Sequence, residues 1–197
     1  MKYTKGILGL LVAILIMGTS MNAFGFLGFG GSEKWKEEVQ LSDGRIIVVE
    51  RETLREGGGG EWASNRSGTK PKEHRIRLAY PEGSGKMIEW RSTKKSPATW
   101  PEFPLILDLE SGQPIVFTSV GIGARCEVYS KYTYRNGAWN EELLSERFAE
   151  RMTNLFLRNG VDMPKFVDLE TKRKGNAEIG YRRSIRQVGP ARQVCGD

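Results

Sequence analysis

Asp43 and Gly44 lie inside W-K-E-E-V-Q-L-S-D-G-R-I-I-V-V-E, residues 35–50, and nothing else in the chain constrains its fold as firmly. An Asp-Gly pair supplies the positive φ angles that a tight hairpin demands, and the residues after it are rich in Val and Ile. Two short strands joined at residue 43 are the result. The same grammar recurs around Pro81-Glu82-Gly83-Ser84-Gly85, Glu110-Ser111-Gly112-Gln113 and Arg135-Asn136-Gly137, so about eight strands come in sequence-adjacent pairs. An antiparallel meander of this number forms a sandwich or a small barrel.

One strand shows its two faces plainly. From His74 to Tyr80 the even positions are His74, Ile76, Leu78 and Tyr80, while Arg75 and Arg77 occupy the other side. Strict alternation of this kind marks a half-buried strand with a wet face. Gly57 to Lys72 is expected to be a polar, glycine-rich surface loop; no Gly-Lys-Ser/Thr follows its four glycines, which rules out a phosphate-binding loop.

After Glu142 the apolar period changes. Leu144, Phe148, Met152, Leu155 and Phe156 recur at intervals of three and four, with Ser145 as N-cap and Gly160 as stop, which predicts a helix over 145–158. A second helical region is expected from Met163 to Val188, with Asp162 as cap, Pro164 in the first turn and a break near Gly175 and Asn176. Tyr181, Ile185 and Val188 then make the apolar stripe of a last helix. The fold class is mainly β with C-terminal helices: a β core over 33–142 and a layer of two to three helices over 143–197.

The first 32 residues stand apart. Lys2 and Lys5 precede an uncharged run from Gly6 to Ser32, 27 residues long, whose centre is aliphatic. This is the layout of a secretory signal, with small residues near Ala23 to Gly25 for removal, yet the run also exceeds the roughly 20 residues that cross a bilayer. Both outcomes export the remainder, to the periplasm or to an inner-membrane anchor with the domain outside the cytoplasm. In that oxidising setting Cys126 and Cys195, the only cysteines, are most simply a disulfide; two separate buried thiols are the alternative.

Charge points the same way. The formal charge is +6, and nine basic residues against three acidic ones fall between Arg66 and Lys95. Arg75, Arg77, Arg91, Lys94 and Lys95 are therefore candidates for contact with an anionic surface, the plainer alternative being a solvated sheet face. Pro97, Pro101 and Pro104 exclude a central strand and frame Trp100 and Phe103, either a docking knob for a partner or a plug folded onto the core.

Chemistry is harder to find. One His and two cysteines are too few for a zinc site, no Asp-x-Asp-x-Asp-Gly run offers calcium ligands, and no nucleophile motif accompanies His74. No catalytic, metal or cofactor residue is assigned. A carboxylate pair leaves no local signature, so Glu37, Glu38, Glu89, Asp108 and Glu110 stay open as partners in a hydrolase. Basic residues interleave with Tyr and Trp, as in a single-strand platform, but export argues against nucleic acid.

With Trp35-Lys36-Glu37-Glu38-Val39, Asp43-Gly44-Arg45, the aromatic hairpin Tyr132 to Trp139 and Thr153-Asn154-Leu155 in view, the chain resembles a family of uncharacterised exported proteins of Gram-negative bacteria. The resemblance covers most of the chain after residue 33 and implies export and a β-rich fold, with no activity attached. The expectation is an exported envelope module that binds a protein or an anionic surface, touching the membrane only through a retained N-terminus; an envelope hydrolase is the alternative.

Overall fold

The structure, a computed structural model, describes residues 31–57, 68–123, 125–158, 163–178 and 186–195. It is a sandwich of two open sheets, not a barrel. The first sheet contains β1 (Ser32–Gln40), β2 (Ile46–Gly57), β3 (Thr69–Ala79) and β4 (Met87–Arg91) as an antiparallel meander. The second contains β5 (Phe103–Glu110), β6 (Gln113–Gly123), β7 (Cys126–Arg135) and β8 (Ala138–Glu142) in the same style. Each hairpin turns where the sequence puts it. Asn136 and Gly137 both take positive φ, 53° and 83°, the pairing that matches the twist of a two-residue hairpin.

Four short strands complete the sheets: β9 (Arg151–Met152), β10 (Phe166–Val167), β11 (Gln187–Val188) and β12 (Gln193–Cys195). β10 runs parallel to β1, β11 pairs with β9, and β12 pairs with the start of β7. The strands thus number twelve among the described residues, more than the hairpin count alone implies. β2 reaches Gly57 and β3 starts at Thr69, so both ends of the expected loop are strand; 58–67 lie outside the described residues.

Val39, Val49, Ile76, Leu78, Ile88 and Trp90 of the first sheet meet Leu107, Val116 and Tyr132 of the second to make the inner core. The second sheet is buried on its other face too. There Ile106, Ile115, Phe117 and Tyr129 pack under Leu144, Phe148, Leu157, Val188 and Val194.

That outer cover is where the helical expectation fails. Residues 143–158 hold no helix; the segment is extended, and its backbone bonds go to distant partners, Phe148 N–H to Pro190 O, Thr153 N–H to Arg186 O and Leu155 N–H to Leu105 O. Leu155, Phe156 and Leu157 are buried in succession, each in a different apolar cluster, which an extended chain threaded between layers can do and a one-faced helix cannot. Ser145 caps nothing: its hydroxyl donates to the Arg147 carbonyl. The apolar interval of three and four was a coincidence: Leu144 and Phe148 face the outer cluster, Leu155 the inner core, Phe156 a third cluster and Met152 the solvent.

Among the described residues one helix remains, α1 (Leu169–Glu178). Its cap is Asp168, whose carboxylate accepts from Thr171 N–H at 2.7 Å. Gly175 lies within α1 and breaks nothing; a Cβ there would come 2.6 Å from the Phe156 ring, so the close seating of the helix requires a glycine. Val188 belongs to β11 and not to a helix; Gly160, Asp162, Tyr181 and Ile185 lie outside the described residues. The Cys126–Cys195 disulfide joins register partners of β7 and β12, so it ties the C-terminal strand, not a helix, to the fourth hairpin. No helix among the described residues is long and apolar enough to cross a membrane, and residues 1–30 are not among them.

Candidate functional site

The exposed face of the first sheet carries most of the charge that the sequence singles out. Strand alternation sends Lys34 and Lys36 of β1, Glu50 and Glu52 of β2, Arg75 and Arg77 of β3, and Glu89 and Arg91 of β4 to one side. There Glu52 takes Lys34 at 3.2 Å, Arg75 at 3.5 Å and Arg77 at 3.0 Å, while Glu89 takes Arg77 and Arg91. Burial raises the Glu89 carboxyl, but the guanidiniums of Arg91 and Arg77 outweigh it and hold the group below its ordinary range. Burial likewise pulls Arg77 down, and its bonds to Glu89 and Glu52 lift it above its ordinary value.

Arg75, Arg77 and Arg91 are therefore brought together, each already facing a carboxylate. Lys94 and Lys95 are not on this face. They sit in the crossover between the sheets, where Lys94 Nζ bonds Ser130 Oγ at 2.9 Å and the Glu141 carboxylate, and Lys95 bridges to Pro101. Part of the positive charge of the run from Arg66 to Lys95 is offset by Glu52, which lies outside it in sequence.

One end of the same face is apolar. Ile46 and Val48 begin β2, Met87 begins β4, and each is about half exposed, at 54%, 52% and 50%. Arg45 in the first turn pairs with Glu82 in the second, which holds the two strand starts at the same end of the sheet.

The crossover separates the two aromatics of the proline-rich stretch. Trp100 stays at the surface, in a turn closed by Ser96 N–H to Trp100 O at 2.7 Å, whereas Phe103 turns inward with its ring 5.1 Å edge-on from His74. Beneath them Glu102 is fully buried and accepts from Thr93 N–H, Lys94 N–H, Thr118 Oγ1 and the Tyr132 hydroxyl. Burial and this carboxylate push the Tyr132 phenol up. Glu102 anchors the crossover; its donors leave it no free lone pair for chemistry.

Sequence reasoning missed a second buried polar cluster. Glu37 Oε1 accepts from Arg51 at 3.1 Å and Phe156 N–H at 3.3 Å, Oε2 accepts from the Trp35 indole at 3.0 Å, and Lys172 Nζ stands 3.6 Å away. Lys172 also donates to the carbonyls of Glu38 and Asn154, which docks α1 on β1. Burial lowers both Arg51 and Lys172, with Glu37 opposing it. Strand parity could have found this cluster, since Glu37 shares its strand face with Trp35 and Val39, and Arg51 with Val49 and Thr53. Beside it His74 Nδ1 meets Thr53 Oγ1 at 3.1 Å, and burial, aided by Arg51 and Arg55, lowers its pKa to about 3.

Of the five open carboxylates, Glu37 is enclosed, the Glu38 carboxylate accepts from Leu169 N–H, and Glu89 belongs to the charged face. Asp108 and Glu110 alone share a cation: both reach Arg151, and Glu110 also holds Lys131 at 2.6 Å. They lie on the outer side of β5, where Lys131 continues to Glu142 at 2.8 Å. Among the described residues no group of three His, Cys, Asp or Glu is placed to hold a metal.

No protein-family model, curated protein or solved structure matches the chain.

Proposed function

We propose that the chain is an exported envelope protein, periplasmic or held by its N-terminal segment at the inner membrane, that acts by binding a protein partner on the exposed face of its first sheet. The observation that carries this reading is the makeup of that face, where paired charges border Ile46, Val48 and Met87. A flat surface that mixes apolar side chains with charges resembles the core and rim of an interface. The ion pairs favour a protein over an anionic surface, because each guanidinium already has a carboxylate. The disulfide is consistent with an oxidising compartment.

The test places a photo-crosslinking side chain at Val48 in producing cells, with exposed Met152 of β9 as the control site. A discrete adduct from position 48, absent from position 152 and lost in a Met87→Asp variant, supports the reading. Equal adducts from both sites, or retention on anionic vesicles that Met87→Asp leaves unchanged, removes it. Recovery of the intact chain from the cytoplasm would remove the export half independently.

A second reading, an envelope hydrolase, is favoured by one observation, that Asp108 and Glu110 both meet Arg151. It requires a hydrolytic activity on envelope glycans that both Asp108→Asn and Glu110→Gln abolish with the fold intact.

A further inference from the structure

The sandwich covers β1, β5 and β7 with its own chain and, among the described residues, leaves two five-residue strands at its edges, β4 and β8. β10 lies along the free side of β1. β8 and β12 share the free side of β7. The free side of β5 is covered without a strand, by Asn154 and Leu155, which bond the backbone of Leu105 and Leu107. Among the described residues the outer side of β4 has no backbone partner.

The register shows which groups that side presents. Ser92 N–H reaches His74 O at 2.9 Å and Tyr80 N–H reaches Lys86 O at 2.8 Å, so the even positions of β4 bond to β3. Hydrogen-bonded and non-bonded pairs alternate along an antiparallel ladder. The N–H and C=O of Met87, Glu89 and Arg91 therefore point away from the sheet, as a row ready for another strand.

We propose that this edge pairs with β4 of a second copy, antiparallel across a two-fold axis, joining two five-stranded sheets. The charges choose the occupant and the register. A two-fold centred on Glu89 would set Glu89 against itself, and like charges directly opposite are destabilising. Moving the centre to Trp90 keeps the outward groups in phase and sets Glu89 against Arg91 of the copy, and Arg91 against its Glu89. Both side chains lie on the exposed face, with Arg91 more than half exposed, so the exchange needs no core rearrangement. Opposite charges one pleat apart make the edge self-complementary, where a row of lysines would repel. β4 has five residues, so the contact falls below the roughly 1,200 Å² of stable interfaces and the dimer is a transient one. This inference is independent of the partner reading above, because it concerns the purified chain alone.

Sedimentation equilibrium on protein purified from cells expressing the full chain tests it. The expected result is a reversible monomer–dimer equilibrium in the roughly micromolar to millimolar range. Glu89→Pro removes an N–H that β3 does not use, and is expected to weaken the dimer at least about tenfold without unfolding the sheet. Glu89→Arg alone should weaken it similarly, and the exchange Glu89→Arg with Arg91→Glu should restore it, since each charge again meets its opposite. Far-UV circular dichroism checks the fold of each variant, and the charge exchange decides the matter should Glu89→Pro not fold. A monomer at all concentrations overturns the proposal. So does a dimer that none of these variants weakens, which would place the contact elsewhere, the N-terminal segment included.

Discussion

Asn154 serves Leu107 as a neighbouring strand would: its amide oxygen accepts from Leu107 N–H at 3.0 Å and its amide nitrogen donates to Leu107 O at 2.7 Å. The same nitrogen reaches Gln40 O at 3.0 Å, so one side chain joins the edge of the second sheet to the end of β1. Backbone groups at a covered edge lose water and must find a partner, and a primary amide offers donor and acceptor in the spacing of a peptide group. Asn154→Ala should therefore destabilise the fold by about 2 kcal/mol, from the orphaned groups it leaves. Asn154→Asp should be nearly as harmful, because it keeps the acceptor and loses both donors. Urea unfolding monitored by tryptophan fluorescence measures both.

Among the described residues Glu37 is the one carboxylate that pairs with both cations of the cluster under α1, and that asymmetry predicts an order of damage. Glu37→Gln leaves Arg51 and Lys172 facing each other without compensation in a dry site, at a cost of about 3–5 kcal/mol. Lys172→Met leaves the Glu37–Arg51 pair and the donors from Trp35 and Phe156 in place, and its cost is the loss of two carbonyl partners, about 1–2 kcal/mol. Equal losses in denaturant melts of the two variants would show that Glu37 does not hold the cluster.

His74 makes stability depend on pH with a defined sign. The folded chain holds it neutral down to about 3, whereas the unfolded chain protonates it near 6.5, so only the unfolded state gains a proton between those values. Its contribution is unchanged above 6.5 and is lost as pH falls, by about 2 kcal/mol between pH 7 and pH 5. His74→Gln removes that dependence while offering Thr53 a hydrogen-bond partner. Comparing unfolding free energies of the two proteins at pH 7 and pH 5 isolates the effect, since every carboxylate titrates equally in both. A difference that stays constant with pH would show His74 to be solvated.

Turn chemistry and strand parity were legible in the sequence because both are local. Asp43-Gly44 and Asn136-Gly137 mark their hairpins, and the alternation from His74 to Tyr80 puts Ile76 and Leu78 in the core and Arg75 and Arg77 outside it. The disulfide followed from the cysteine count together with the expected export. Partners from distant segments decided what was missed. Leu144, Phe148 and Leu155 satisfy a helical period, yet Phe148 stacks near Phe117 while Leu155 enters the inner core, and no local pattern tells one buried face from two. The candidate surface suffered similarly. Arg77 reads as a free cation until Glu52, 25 residues earlier, is set beside it by the β2–β3 register.

Gly175 gives the last prediction, one in which a usual rule changes sign. Replacing a helical glycine by alanine ordinarily stabilises by about 1 kcal/mol, since the unfolded chain loses freedom. In α1 the new methyl would lie 2.6 Å from Phe156 Cε2 and 3.1 Å from its Cζ, and Phe156 is itself buried against Trp35 and Val167 with little room to move. Overpacking costs about 1–3 kcal/mol, so Gly175→Ala should be net destabilising. The rule should return once the ring is removed. In a Phe156→Leu background the same change is expected to stabilise, and thermal melts of the four proteins in this cycle report the reversal as a coupling between the two positions. Independent effects at residues 156 and 175 would mean that α1 is not seated on Phe156.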